Sequence, residues 1–351
     1  MILPSEPRRR RLRARTGRLL SAVAVTACFA PLVACGGGDG DDAALTIYSG
    51  RSEELVGPLI EAFTETTGID VEVLYGDSGS LALQLLEEGD NSPADVFFSQ
   101  APGPLGLIEG SDRLKPLPAS TLDAVAADFR SPDGAWVGIT ARTRTLVYDS
   151  ARVDPATLPE SVLDLADGSS ELTVGIAPSN ASFQDFVSAL RIELGDDETL
   201  LFLDGLAQNG VRTYANNVAI VEAVGRGEVD VGLVNHYYNL ELTAQDPDLT
   251  TANRAFASGD VGNLILVSGA GLLTTSDADA DAIAFVDYLL SDDAQRTFVT
   301  QTYEYPLVAG IDGPAGEPAL ADLAVAPFGL VQLGEQLTTT LTLIEQAGLV
   351  S

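Results

Sequence analysis

Between Leu45 and Gln100 short apolar runs alternate with helix-patterned segments, and no other feature of the chain restricts its fold as much. Leu45-Thr46-Ile47-Tyr48 is a β-rich run closed by Ser49-Gly50. Ser52 can cap a helix that carries Leu55, Leu59, Ile60 and Phe63 on one face; Pro58 implies a late start or a kink, and Gly68 ends it. Ile69–Tyr75 alternates as a second strand, and Ser80 is placed to cap Leu81–Glu88. Ala94-Asp95-Val96-Phe97-Phe98 then makes a third strand ending at Ser99-Gln100. The order β-α-β-α-β begins a doubly wound α/β lobe.

At 351 residues the chain exceeds what one hydrophobic core usually fills, so two lobes are expected. From Trp136 it runs through Ile139–Arg142 into Thr145–Tyr148, long enough to cross between lobes. The alternation then repeats with strand Thr173–Ala177, helices Ser182–Leu194 and Glu198–Leu206, and the stretch Tyr214–Tyr238. Another apolar strand, Asn263–Val267, leads through Ser268-Gly269-Ala270-Gly271 back toward the first lobe. Helices Asp279–Leu290, Asp292–Thr300 and Leu337–Ala347 complete the pattern. This predicts one lobe from 45–140 with 268–310 and a second from 141–267 with 311–351. No repeat of 20–50 residues is present, which excludes solenoids and propellers.

Ahead of this lies a leader. Seven arginines precede residue 19, and the apolar run Leu19–Ala34 after them is too short to span a bilayer comfortably, so residues 1–34 read as a secretory signal. Leu32-Val33-Ala34-Cys35 resembles the bacterial lipobox, which implies cleavage before Cys35 and lipidation of that cysteine. The glycine- and aspartate-rich segment after it makes 35–44 a flexible tether. Removing 1–34 takes away seven arginines and Glu6 and leaves 12 basic against 50 acidic residues, a formal charge of −38. Such a surface repels nucleic acid and anionic headgroups, leaving the lipid as the expected membrane contact; acidity of this degree equally serves solubility alone. Cys28 leaves with the signal, so neither a disulfide nor a cysteine metal site is expected in the remainder.

Several chemistries are excluded by residue type. Gly76-Asp77-Ser78-Gly79 looks like a serine-nucleophile loop, but the only histidine, His236, follows it in an order that matches no known triad; a polar turn is the better reading. One histidine cannot build a zinc hydrolase site. There is no P-loop and no glycine-rich dinucleotide fingerprint after the first strand.

Within Tyr214–Tyr238, Asn216-Asn217 can cap a helix carrying Ile220, Val221 and Val224, ended by Gly225-Arg226-Gly227. Val229, Val231, Leu233 and Val234 form a strand, at whose carboxyl end, where open α/β sheets bind ligands, stand Asn235, His236, Tyr237 and Tyr238. Consecutive tyrosines also suit a half-buried strand with one ring inside and one outside. As ligands, phenolates are hard anionic oxygens with a high reference pKa, so only a strongly Lewis-acidic ion deprotonates them near neutrality. Ferric iron is the evident candidate.

Five segments together resemble the ferric-ion-binding proteins of bacterial ABC importers, the bacterial transferrins: Ile47–Ile69, Ser92–Gln100, Ala141–Asp149, Tyr214–Tyr238 and Thr302–Val308. The resemblance implies a periplasmic-binding-protein fold of two α/β lobes joined by two crossing strands, closing on Fe3+ held mainly by Tyr237 and Tyr238. It also implies a synergistic anion, phosphate or carbonate, at the positions of Asn180, Ala181, Ser182, Asn217 and Asn235, with Arg142 facing the cleft. A helix start at Asn180–Ser182 agrees with anion binding, although Ser182 there can equally be a plain cap. An ABC permease is the implied partner, and a monomer is expected.

Two positions depart from the family pattern. Ser52 stands where some relatives have a ligating histidine, and Gln100 where they have a ligating glutamate. Both are poorer ligands for a trivalent ion, so the first lobe is expected to add only weak coordination. His236 could approach the ion, but a supporting role is the stronger expectation. Those departures keep a rival open, the same fold carrying a phosphonate or another small organic anion; an extracytoplasmic enzyme is the remoter one.

Overall fold

The computed structural model describes residues 44–168, 170–323 and 332–350. The leader, Cys35 and the tether up to residue 43 lie outside the described residues. Among the described residues no helix is long and apolar enough to cross a membrane.

The chain opens with β1 (Leu45–Ser49), α1 (Glu53–Thr67), β2 (Val71–Tyr75), α2 (Ser78–Glu88), β3 (Val96–Ser99), α3 (Pro102–Glu109), β4 (Leu114–Lys115) and α4 (Ala119–Leu122). The long strand β5 (Trp136–Asp149) follows, then β6 (Val174–Ile176), α5 (Ala181–Leu194), α6 (Asp196–Gln208), β7 (Arg212–Thr213), α7 (Asn217–Gly225), β8 (Val231–Asn235), α8 (His236–Gln245) and β9 (Thr251–Arg254). After β10 (Ile265–Leu273) come α9 (Asp279–Leu289), α10 (Asp292–Thr297) and β11 (Tyr305–Pro306), and the helix Leu337–Gln346 lies near the end.

The strands join in the order β2-β1-β3-β10-β5-β8-β6-β7, with β4, β9 and β11 attached to its sides. β1 pairs parallel to both β2 and β3, and β8 parallel to β6, as the βαβ alternation requires. β5 and β10 run antiparallel to each other and span both halves: β10 pairs with β3 at one end, while the far end of β5 pairs with β8 and β9.

Two large cores flank this pair of strands. Residues from Leu45 to Ala141 pack with Val267 to Leu307, and Leu146 begins a second core that continues through Leu266 to Leu349. Phe63 of α1 stands 5.3 Å from Phe285 of α9 between ring centroids, which ties the first helix to one more than 200 residues later. Burying a ring of this size stabilises by roughly 1.5–3 kcal/mol. A smaller cluster seats α7 on β8, where Gly232 is needed because a Cβ there would fall 2.2 Å from Ile220.

Local details depart from the sequence reading where side chains chose another partner. Helix α2 begins at Ser78, not after Ser80, because Asp77 accepts the Ser80 backbone N–H at 3.0 Å and becomes the cap. Ser52 sits at the cap position of α1 but makes no capping bond. Asn180, not Ser182, caps α5, and the segment predicted as one helix to Thr300 changes to a π-helical turn over Phe298–Thr302.

Candidate functional site

Between Ala141, in the first core, and Leu146, in the second, β5 carries Arg142, Thr143, Arg144 and Thr145, all buried. Side chains alternate along a strand, so Arg142 and Arg144 share one face. A pair of buried cations at the junction of two cores demands compensation.

Arg144 finds it in neutral oxygens. Its Nη1 donates to Ser182 Oγ at 3.1 Å, Asn217 Oδ1 at 3.3 Å and Asn235 Oδ1 at 3.3 Å, and Nη2 donates to the Leu233 carbonyl at 2.8 Å. The guanidinium also stands 5.9 Å from the Phe186 ring centroid. These partners come from the starts of α5 and α7 and the end of β8, so one side chain gathers three of the residues proposed for the anion. Asn180 joins through Ser182, accepting its backbone N–H at 3.0 Å and its hydroxyl at 2.6 Å, while Ala181 opens the helix in an exposed position. None of those acceptors is charged. Burial lowers the guanidinium to about 10, opposed by the charges of Tyr238, Asp185 and Tyr237.

Three buried donors in this group have no partner: Arg142 Nε, Arg142 Nη1 and Asn217 Nδ2. Buried donors are nearly always satisfied, so an unpaired set beside a cationic strand is what an anion site leaves when empty of protein partners. Asp185 is a carboxylate that both arginines act upon; burial raises it to about 6, with Arg142 and then Arg144 opposing.

Beside this group stand the tyrosines. Asn235 closes β8, and His236 opens α8, so Tyr237 and Tyr238 occupy the first turn of a helix rather than continuing the strand. Their rings lie 4.2 Å apart between centroids at 34°. Both line a cavity of about 550 Å³, with Ser52 and Gln100 from the first half of the chain and Glu241, Gln301 and Tyr303 among the other walls. Burial, then the charge of Tyr238, raises the Tyr237 phenol well above its ordinary value, while Arg142 opposes the rise. A phenol so placed ionises only for a strong Lewis acid. Among the described residues, no group of three or more His, Cys, Asp and Glu side chains could hold a metal ion. The anionic oxygens that this wall can offer a hard cation are therefore the two phenols and the separate carboxylates of Glu54 and Glu241.

The remaining residues singled out from sequence divide. Gln100 is held in place by its backbone N–H, donated to Ser78 Oγ at 2.9 Å, and Gly50 must lack a side chain because a Cβ would fall 1.8 Å from that oxygen. Ser78 is thus a bracket for the cavity wall. His236 is fully buried with both ring nitrogens engaged: Nδ1 accepts the Thr143 N–H at 3.2 Å and Nε2 donates to the Tyr303 carbonyl at 2.7 Å. Burial lowers it to about 4. It is a neutral strut, with neither nitrogen left a free lone pair. Asn180, Ser182, Asn217 and Asn235 converge around Arg144, and neither they nor Arg142 are among the residues lining the 550 Å³ cavity; of the group, only the two arginines act on the phenols through charge.

Four residues were not singled out from sequence. Arg144 repeats Arg142 at a two-residue interval on a strand, a signal that so acidic a chain makes conspicuous. Arg51 and Glu304 form a buried bidentate pair at 2.9 and 2.6 Å, both side chains 2% exposed, and no local pattern announces it. Glu241 lies one helical turn past the tyrosines; burial and then the charge of Glu304 raise it to about 7, with Arg51 opposing.

The family model described as bacterial extracellular solute-binding protein matches residues 45–304. The chain is 32% identical over 311 residues to the Fe(3+)-binding periplasmic protein of Serratia marcescens, covering 88% of this chain and 91% of that one. Among solved structures it is similar to iron-bound HitA from Pseudomonas aeruginosa, with a TM-score of 0.79, 34% identity and coverage of 87% of this chain and 99% of that one. It is also similar to the Trichodesmium IdiA (FutA) in complex with iron and citrate, with a TM-score of 0.75, 28% identity and coverage of 87% and 99%.

Proposed function

Because the chain belongs to the bacterial extracellular solute-binding proteins, we propose that it captures ferric iron with a small anion outside the cytoplasmic membrane and passes it to an ABC permease. The observation that carries this reading is the adjacent, mutually tilted pair Tyr237 and Tyr238 on the wall of a cavity shared with Ser52 and Gln100. Relatives named for ferric iron, and neighbours solved with iron or with iron and citrate, support it.

In mechanism, the two phenols would bind the ion first and release their protons to water as they do so, the ion's Lewis acidity overcoming the rise that burial imposes. The anion, phosphate or carbonate, would meet the unpaired nitrogens of Arg142 and of Asn217, which Arg144 holds through its oxygen. The portions 45–140 with 268–310 and 141–267 with 311–351 then move as lobes about β5 and β10 to enclose both. Ser52 and Gln100 enter from the far wall as weak ligands. The role is that of a binding protein rather than an enzyme, tethered through lipidated Cys35 and acting as a monomer.

Addition of a ferric chelate to the purified chain tests the reading. A visible phenolate-to-iron band is expected. The three unpaired donors favour, as a second reading, a phosphonate or other small organic anion carried without iron; colourless binding of such an anion, with no band on adding iron, would establish it instead.

A further inference from the structure

The two phenolates leave a ferric ion one negative charge short of neutrality, and Ser52 and Gln100 carry none. Two carboxylates line the cavity, Glu54 in an exposed position on α1 and Glu241 half-buried, and the sheltered one is the better placed to bring a third anionic oxygen.

Helix α8 carries one. Glu241 follows Tyr237 by four residues and Tyr238 by three, the two intervals that bring helical side chains onto one face. All three line the same cavity. The Glu241 carboxylate makes no hydrogen bond and no ion pair among the described residues, although Arg51 is close enough to act on its charge. Arg51 is already taken, closed in two-point contact on Glu304. So Glu241 is a half-buried carboxylate with no cation of its own, facing the space in which a cation is to be bound.

We propose that Glu241 is the carboxylate ligand of the ferric site, making with Tyr237 and Tyr238 a set of three anionic oxygens presented by a single helix. This rests on the ferric reading above. It assigns to the second lobe the carboxylate that Gln100 cannot supply from the first. The charges then balance: the two phenols release two protons to water, the carboxyl releases its own where it carries one, and three negative oxygens meet three positive charges. Any anion bound in addition brings negative charge in excess of the ion, and Arg142 and Arg144 are placed to offset that excess. Iron should accordingly still bind, though less tightly, when phosphate and carbonate are removed.

The test is a ferric titration of the wild-type chain and the Glu241→Gln and Glu241→Asp variants, against a competing chelator, followed by visible absorbance, with calorimetric melting of each iron-free form. Loss of an anionic ligand makes the iron more Lewis-acidic, so in Glu241→Gln the phenolate band should persist but move to longer wavelength. Affinity should fall by at least about tenfold, since even groups that only support a ligand are worth about 10- to 100-fold. Glu241→Asp should recover part of the affinity, and the iron-free melting temperatures should stay close to wild type. An unchanged affinity, or a weakened affinity with the band unmoved, overturns the assignment of Glu241 while leaving the ferric reading intact. Absence of any band in the wild type overturns both.

Discussion

The Nε2–H of His236 donates to the carbonyl oxygen of Tyr303 at 2.7 Å, joining the first residue of α8 to a residue in the left-handed region with φ of 55°. With Nδ1 accepting from Thr143, the ring connects three segments that meet beside the cavity, and the tyrosines that follow take their position from it.

Protonating this histidine would set a second N–H against the Thr143 amide. Its folded pKa, near 4, lies below the ordinary 6.5, so its contribution to stability is full above pH 6.5 and is lost as pH falls toward 4. The loss should be on the order of 3 kcal/mol. Asp185 and Glu241 have raised values and the opposite sign, gaining stability as pH falls. The His236 contribution is therefore read as the difference between wild type and His236→Phe in urea unfolding at a series of pH values. A difference that does not change across that window would refute the neutral, doubly bonded ring.

Arg51 and Glu304 form the most deeply buried ion pair, and each is poorly served without the other. Glu304→Ala should destabilise by about 3–5 kcal/mol by stranding the guanidinium, whereas Arg51→Met combined with Glu304→Leu should recover most of that. A double-mutant cycle in urea measures the coupling.

The two arginines of β5 should respond differently. Arg144→Met leaves four acceptors unsatisfied and should cost about 1–3 kcal/mol or more in stability. Arg142→Met removes two unpaired buried nitrogens and should leave iron-free stability unchanged or raised. The same Arg142→Met change should abolish the dependence of iron affinity on added phosphate or carbonate. Competition titrations with and without each anion check this, and an Arg142 variant that still responds to anion would exclude it from that role.

Much of the scaffold was legible because its signals are local. The alternation from Leu45 to Phe98 carried β1 to β3 and their helices, and Asn216 does cap α7, accepting the Ala219 N–H at 2.9 Å. Cap identity failed at α2, where Ser80 was read as the cap: Asp77, three residues earlier, takes that place because the Ser80 amide lies within reach of its carboxylate. The resemblance named Ser182, Asn217 and Asn235 as a group, but not the reason they assemble. That reason is Arg144, whose partners lie 38, 73 and 91 residues away. The partners of His236 were hidden for the same cause, since the groups that occupy its nitrogens are backbone atoms of distant segments. Arg51 and Glu304, 253 residues apart, show no periodicity or motif at all.

The central claim is that Tyr237 and Tyr238 bind ferric iron as phenolates. Visible absorbance during ferric titration of the wild type and of Tyr237→Phe, Tyr238→Phe and the double variant tests it most directly. The account predicts a band in the wild type, a shifted or weakened band with lower affinity in each single variant, and neither band nor tight binding in the double variant. A double variant that binds iron as tightly as the wild type, or a wild type that binds it without colour, would contradict it.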